Sequence, residues 1–151
     1  RKFSAPFLVN DRVDVAMAVD ACGVQLRHDS LAVETVRRMW PTARIGRSCN
    51  SAKEVMVASE KSADFAVLGP IFSTPSKSSM GQSALGIETL KSARQCVGGG
   101  FPIVAIGGVT ADNSHLLHEN GASGVAAVRA LARVPCPGQA ALEILNSCHP
   151  Y

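Results

Sequence analysis

Residues 102–113, with the sequence PIVAIGGVTADN, pass from an apolar run through two glycines into helix-forming residues. A strand that is buried on both faces is continuously apolar, as Ile103–Ile106 is, and this is typical of a parallel sheet. Gly107–Gly108 predicts a tight turn whose N–H groups approach a ligand closely, and Thr110 or Asp112 is expected to cap the following helix. The positive end of that helix favours an anion, so the stretch predicts either a phosphate site or a plain α/β turn.

Six strands of this kind are predicted along the chain, each followed by a helix. They span residues 7–9, 23–26, 44–50, 65–68, 103–106 and 124–128. Strict alternation predicts an α/β fold with parallel strands and right-handed crossovers, which either a barrel or an open sheet would satisfy. A TIM (β/α)8-type barrel takes about 250 residues, so six units favour such a barrel lacking two of its eight units. We expect residues 1–151 to form this single incomplete domain, because the composition does not change along the chain.

The composition favours a small anionic ligand over a nucleic acid. The net charge of +3 is spread without a Lys/Arg-rich block, and aromatic residues make up only 5% of the chain. Five scattered cysteines suit a reducing compartment, and no apolar run reaches the roughly 20 residues of a membrane span. We therefore expect a cytoplasmic protein without membrane contact. Because the chain begins with Arg1 rather than Met, we expect a segment of something longer, or a processed or trimmed chain.

Polar or glycine residues stand at or after the end of every predicted strand. They occupy residues 10–12, 27–29, 48–50, 73–77, 107–108 and 129. The carboxyl ends of the strands of a parallel barrel meet at one rim, where barrel enzymes keep their active sites. The last two strands commonly form a phosphate pocket between them, which favours the phosphate interpretation of the glycine turn.

Three motifs together carry a family resemblance. They are VNDRV at residues 9–13, GPIFSTPSK at residues 69–77 and AIGGVT at residues 105–110. In this order and spacing they resemble the thiamine phosphate synthase and TenI family, over nearly the whole chain. The resemblance implies a TIM barrel without its first two strands, which in the family include a Gln-x-Arg-x-Lys segment for a substrate pyrophosphate.

The resemblance implies an enzyme of thiamine biosynthesis. The synthase branch joins hydroxymethylpyrimidine diphosphate to thiazole phosphate and releases pyrophosphate with Mg²⁺, since a metal and fixed cations stabilise such a leaving group. Motif matching assigns Ser48 to the reacting carbon, Lys77 to catalysis at the pyrophosphate and Asp11 to the metal. It also assigns a set of residues to the substrates and their phosphates: Asn10, Thr74, Ser76, Lys77, Gly107, Gly108, Val128 and Arg129.

Two positions depart from the family pattern. Ser30 stands at the second metal carboxylate, and Asp29, one place earlier, is a poor substitute. Mg²⁺ is still expected, because one carboxylate with substrate phosphates and water can hold it. Arg129 replaces the usual serine, and its guanidinium suits either phosphate or a nearby carboxylate.

Two alternatives to the synthase remain open. The resemblance implies that the TenI branch aromatises a thiazole phosphate with a histidine at the position where this chain has Asn50. An amide cannot act as a general base, so the tautomerase would need His28 to take that role. The other alternative is a non-catalytic phosphate-binding remnant, since the first two strands of the barrel are missing. A barrel without two strands exposes two sheet edges, so self-association is expected. Enzymatic activity is therefore expected of a full-length protein, whereas this chain by itself is compatible with an inactive fragment.

Some assignments also have simpler structural alternatives. Asp11 follows a strand and precedes a helix, a position where aspartate often caps. Lys77 would ordinarily be a solvated loop charge. Cys49 is a candidate nucleophile, but it has no histidine partner in the sequence and is expected to be a small buried residue.

Overall fold

The computed structural model describes residues 5–74 and 83–148. Its six parallel strands, β1 to β6, are Leu8–Asn10, Gly23–Leu26, Arg44–Cys49, Phe65–Leu68, Ile103–Ile106 and Gly124–Ala126. In the same residues the helices, α1 to α7, are Val13–Ala18, Val33–Met39, Ala52–Glu60, Ile87–Val97, Ala111–Glu119, Arg129–Ala132 and Pro137–Cys148. None of the helices in this part of the chain is long and apolar enough to cross a membrane.

The strands lie in sequence order across one curled sheet. Each strand pairs in parallel with the next, as when Val24 lies beside Ile45 and Ala66 beside Ile103. This confirms the predicted parallel α/β fold. Within the described residues, β1 and β6 are the two edges and are not paired with each other. The sheet is therefore a half-barrel, and closure into an eight-stranded barrel stays a prediction.

The two faces of the sheet are buried to different extents. One face packs with helix residues such as Val36, Val55 and Leu90 in a single core cluster. Its strand side chains are fully buried: Val24, Leu26, Ile45, Ala66, Leu68, Ile103 and Ala105. Each such Leu or Ile stabilises the fold by about 1.5–3 kcal/mol relative to an exposed position. The other face is only half-buried at Gln25, Ser48, Phe65, Val67, Val104 and Ile106.

Most helix limits follow the predicted signals. The Ser51 hydroxyl accepts a hydrogen bond from the Glu54 N–H at 3.2 Å and begins α3. Gly98, with φ 64°, ends α4. Thr110 rather than Asp112 caps α5, where it forms a capping box with Asn113.

The end of β6 corrects the sequence prediction. The strand stops at Ala126 rather than continuing to Val128, and Val128 is instead the N-cap of the short helix α6. The apolar run 124–128 is continuous, and periodicity within such a run does not show where a strand ends. As a consequence, Arg129 is the first residue of a helix and not the last residue of a strand.

Candidate functional site

A cavity of about 970 Å³ lies at the carboxyl ends of β2 to β6. The structure brings seven of the predicted site residues to its wall: Asp29, Ser48, Thr74, Gly107, Gly108, Val128 and Arg129. Asn10 and Asp11 lie at the end of β1, outside the wall of this cavity. Ser76 and Lys77 lie outside the described residues.

The glycine turn and α6 lie side by side because their strands are paired. Ile106, the last residue of β5, is in register with Ala126, the last residue of β6. The chain continues from these two residues into Gly107–Gly108 and into Val128–Arg129. This places a glycine turn next to the N-terminus of a short helix, the arrangement that barrels use for phosphate.

The structure adds a reason for glycine at both turn positions. Gly107 and Gly108 have φ values of 101° and 66°, which disfavour any side chain. A Cβ on Gly107 would lie 2.5 Å from Cα of Pro70, and one on Gly108 would lie 2.7 Å from Cβ of Phe72. The two glycines therefore leave room for the loop after β4 to pack against the turn. The sequence had suggested only that a ligand approaches the turn closely.

Asn113 fixes the glycine turn, a role that sequence reasoning missed. Its side-chain amide donates to the Gly108 carbonyl at 2.9 Å, and its side-chain oxygen accepts from the Thr110 N–H at 2.9 Å. The signal in the sequence is Asn at the third helical position after a Thr cap. The amide thus ties the turn to the start of α5.

The loop after β4 is anchored where it leaves the sheet and where it returns. The Ile71 N–H donates to the Ile106 carbonyl at 2.9 Å, and the Gly86 N–H donates to the Ile71 carbonyl at 3.0 Å. Ile71 is fully buried. Thr74, three residues after Ile71, lines the cavity, and residues 75–82 lie outside the described part of the chain.

Asp11 is held by the serine that replaces the expected second carboxylate. The Ser30 hydroxyl donates to Oδ1 of Asp11 at 2.5 Å and accepts from the Arg27 N–H at 2.7 Å. Asp11 has a φ of 67°. The N-cap residue of α1 is Arg12, without a side-chain cap bond, so the carboxylate of Asp11 binds Ser30 instead of capping the helix.

The described residues offer magnesium only one suitable carboxylate. Asp29 pairs with Arg27 at 2.9 Å, and its side chain is 68% exposed. Residues 5–74 and 83–148 contain no group of three or more His, Cys, Asp or Glu side chains that could hold a metal. Asp11, with its Oδ2 beside the bonded Oδ1, fits the mode in which Mg²⁺ takes one carboxylate and completes its shell with substrate oxygens and water.

His28 and Asn50 form a hydrogen-bonded pair at the cavity wall. Their side chains meet at 3.0 Å. In the amide orientation that satisfies both groups of Asn50, its oxygen accepts from Nε2 of His28 and its nitrogen donates to the Gly69 carbonyl at 2.8 Å. The backbone N–H of Asn50 donates to Glu54 at 2.7 Å. In this arrangement Nε2 of His28 carries a proton, so Nδ1 is the ring nitrogen that is able to accept one.

Ser48 and Cys49 lie on opposite faces of β3. The Ser48 hydroxyl faces the cavity and accepts from the Gln25 amide at 3.0 Å. Burial, followed by the negative charge of Glu54, raises the pKa of the Cys49 thiol to about 12. Cys49 is therefore a protonated core residue. Sequence reasoning missed Gln25, whose signal is an amide within an otherwise apolar strand.

Comparison with known proteins identifies the family. A sequence profile of the TMP-TENI family, described as thiamine monophosphate synthase, matches residues 1–131. The chain belongs to this family. The expected family is thereby confirmed.

Relatives in the family are longer than this chain. Thiamine-phosphate synthase of Geobacillus kaustophilus is 40% identical over 147 residues, which are 97% of this chain and 66% of that protein. The enzyme of the same name from Chlorobium luteolum is 38% identical over 146 residues, 96% of this chain and 68% of that protein. Thiamine phosphate pyrophosphorylase from Pyrococcus furiosus superposes with a TM-score of 0.85 at 34% identity, covering 97% of this chain and 69% of that one. The chain thus spans about two thirds of the length of the relatives that it matches.

Proposed function

We propose that the protein carrying this chain is a thiamine-phosphate synthase, which joins hydroxymethylpyrimidine diphosphate to thiazole phosphate and releases pyrophosphate. The observation that carries the proposal is that Ser48, Thr74, Gly108 and Arg129 line the same cavity at the carboxyl edge of the sheet. The 40% identity to an enzyme of that name supports it. Two further βα units would close the sheet between β6 and β1, and the five free cysteines fit a cytoplasmic enzyme.

In this proposal, the thiazole phosphate binds between the glycine turn and α6. The N–H groups that follow Gly107 are directed by two positive φ values, and Arg129 adds a positive charge at the same wall. Backbone donors and a guanidinium together suit a phosphate, because both donate and neither accepts. Thr74 adds a hydroxyl from the β4 loop.

The pyrimidine diphosphate would bind towards β1 to β3. Ser48, oriented by Gln25, lies where the reacting carbon would stand, and Asn10 follows β1 at the same edge. Asp11, oriented by Ser30, would hold Mg²⁺ jointly with the pyrophosphate oxygens, and the ion would neutralise negative charge on the leaving group. Lys77 would supply a second positive charge there.

The direct test is product formation by the protein expressed at the full length of its gene. Given both phosphorylated substrates and Mg²⁺, the unaltered protein should form thiamine phosphate. Arg129→Met should raise KM for thiazole phosphate, while Arg133→Met, an exposed position outside the cavity, should leave it unchanged. Absence of product from the unaltered protein would reject the synthase.

A TenI-like tautomerase is the second candidate, because Ser30 replaces a carboxylate and His28 lies at the cavity. It predicts metal-independent aromatisation of a thiazole phosphate that is lost in His28→Gln. An assay with and without Mg²⁺ separates the two enzymes. Binding of thiazole phosphate without either reaction would instead support a non-catalytic phosphate-binding protein.

A further inference from the structure

A second cavity, of about 390 Å³, opens between α2 and α3 on the helix-covered face of the sheet. Val33 of α2 and Val57 and Ala58 of α3 form apolar parts of its wall. Arg47 of β3 also lines it. The volume lies at the lower end of the range of about 300–1,000 Å³ that is typical of small-molecule sites.

Arg47 is an exception on the face of the sheet that it occupies. It is in register with Leu26 of β2 and Ala66 of β4, which are fully buried apolar residues. One guanidinium nitrogen, Nη1, donates to the Arg27 carbonyl at 2.8 Å. Within residues 5–74 and 83–148 no other hydrogen bond or ion pair of Arg47 is found, so several of its five N–H donors have no acceptor among these residues.

The carboxylates of this cavity already have partners. Glu34 is paired with Lys61, and Glu54 accepts from the Asn50 N–H at 2.7 Å. Lys53, on the same wall, has no ion pair with a described residue. The cavity therefore holds two cations, Arg47 and Lys53, without a carboxylate partner in the described part of the chain.

We propose that this cavity is a second ligand site, which binds a small organic anion. The anionic group would pair with Arg47 and Lys53, and its apolar part would lie against Val57 and Ala58. A guanidinium suits the planar oxygens of a carboxylate or the tetrahedral oxygens of a phosphate, and the test distinguishes these two. His28, Ser30 and Ser48 at the carboxyl edge also line this cavity, so it adjoins the site described above. The inference does not rest on the synthase activity, because Arg47 and Lys53, which carry it, have no part in the proposed synthase site.

The test is an NMR titration of ¹⁵N-labelled protein at the full length of its gene, with phenyl phosphate, benzoate and neutral benzyl alcohol as separate probes. Phenyl phosphate, benzoate or both should shift the amide signals of Val57 and Ala58, and benzyl alcohol should not. The anion that binds more tightly identifies the ligand as a phosphate or a carboxylate.

Variants separate the site from non-specific binding. Arg47→Met and the more exposed Lys53→Met should each weaken binding about tenfold or more, whereas Arg44→Met, an exposed arginine on the same strand outside the cavity, should not. Lys53→Met decides the question if Arg47→Met does not fold. Equal affinity in Lys53→Met and Arg44→Met, shifts confined to Gly107 and Gly108, or no shift at all would overturn the proposal.

Discussion

At the scale of single residues, the contact between Ser30 and Asp11 defines the candidate metal site. Ser30 shares its hydroxyl between the Asp11 carboxylate and the Arg27 N–H. A hydroxyl can orient one carboxylate, but it cannot supply a second negative ligand. The contact therefore leaves one oriented carboxylate where the family resemblance implies a pair. In the proposed synthase, more of the Mg²⁺ shell would then be filled by substrate oxygens.

We predict that Ser30→Asp makes the stability of the protein depend on Mg²⁺. Two carboxylates at this separation repel by roughly 1–4 kcal/mol near a protein surface, so the variant should melt at a lower temperature without metal. Mg²⁺ should restore its Tm and barely change that of the unaltered protein. Thermal unfolding with and without Mg²⁺ measures this, with Ser83→Asp, an exposed position, as the control. An equal effect of Mg²⁺ on both variants would argue against a metal at Asp11.

The thiol of Cys49 should be inert in the folded protein. Burial raises its pKa to about 12, so at about pH 8 it stays protonated, whereas the unfolded thiol titrates near pH 8.5. Iodoacetamide should label exposed Cys96 and Cys136 and reach Cys49 only after denaturation. Because only the unfolded thiol ionises between these pKa values, this group should reduce stability as the pH rises above about 9. Mass spectrometry reads the labelling, and native labelling of Cys49 at the rate of Cys96 would contradict the burial.

Residue identities along the chain could predict candidates but not their contacts. Ser48, Gly108 and Arg129 were assigned from motifs, and the structure places them on one cavity wall. Ser30 was read as a missing ligand, because nothing in the sequence shows its hydroxyl reaching Asp11 across 19 positions. The same limit applies to Asn113, whose amide joins residues that are close only after α5 forms.

At the scale of elements, strands such as β4 and β5 were predictable because each is a short apolar run that ends at a glycine. The 103–106 strand was predicted with the limits that the structure shows. The end of β6 was not, because residues 124–128 are all apolar or glycine and only tertiary packing selects where the helix begins. Arg47 was expected within the 44–50 strand and lies within β3, but nothing in the sequence showed which face of the sheet it occupies.

The turn between β5 and α5 offers a test with a matched control. Gly108 and Gly98 have nearly equal φ values, 66° and 64°, but only at Gly108 would a Cβ meet the β4 loop. Gly98 has a ψ of −169°, in a region that is almost restricted to glycine, so Gly98→Ala should lose a backbone term of about 1–3 kcal/mol. Gly108→Ala should lose that term and more, and should also weaken binding of thiazole phosphate. Chemical denaturation and calorimetric titration measure the two effects. If Gly98→Ala and Gly108→Ala lose equal stability and Gly108→Ala binds thiazole phosphate unchanged, the turn has only a structural role.

At the scale of the whole molecule, the half-barrel leaves two edges and a half-buried face. β1 and β6 present unpaired strand edges in the described part of the chain, and Val67, Val104 and Ile106 line the face between them. Such edges promote association with further strands. We predict that the 151-residue chain expressed by itself self-associates, as sedimentation velocity would show at increasing concentration. A monodisperse monomer that unfolds cooperatively would contradict this.

The central claim is that the carboxyl edge of this sheet binds the phosphorylated substrates. The most direct measurement is an NMR titration of the ¹⁵N-labelled protein, expressed at the full length of its gene, with thiazole phosphate. The account predicts that the largest shifts fall on the amide signals of Gly108 and Arg129, which follow two neighbouring strands and line one cavity wall. Saturable binding that leaves both signals unchanged would contradict it.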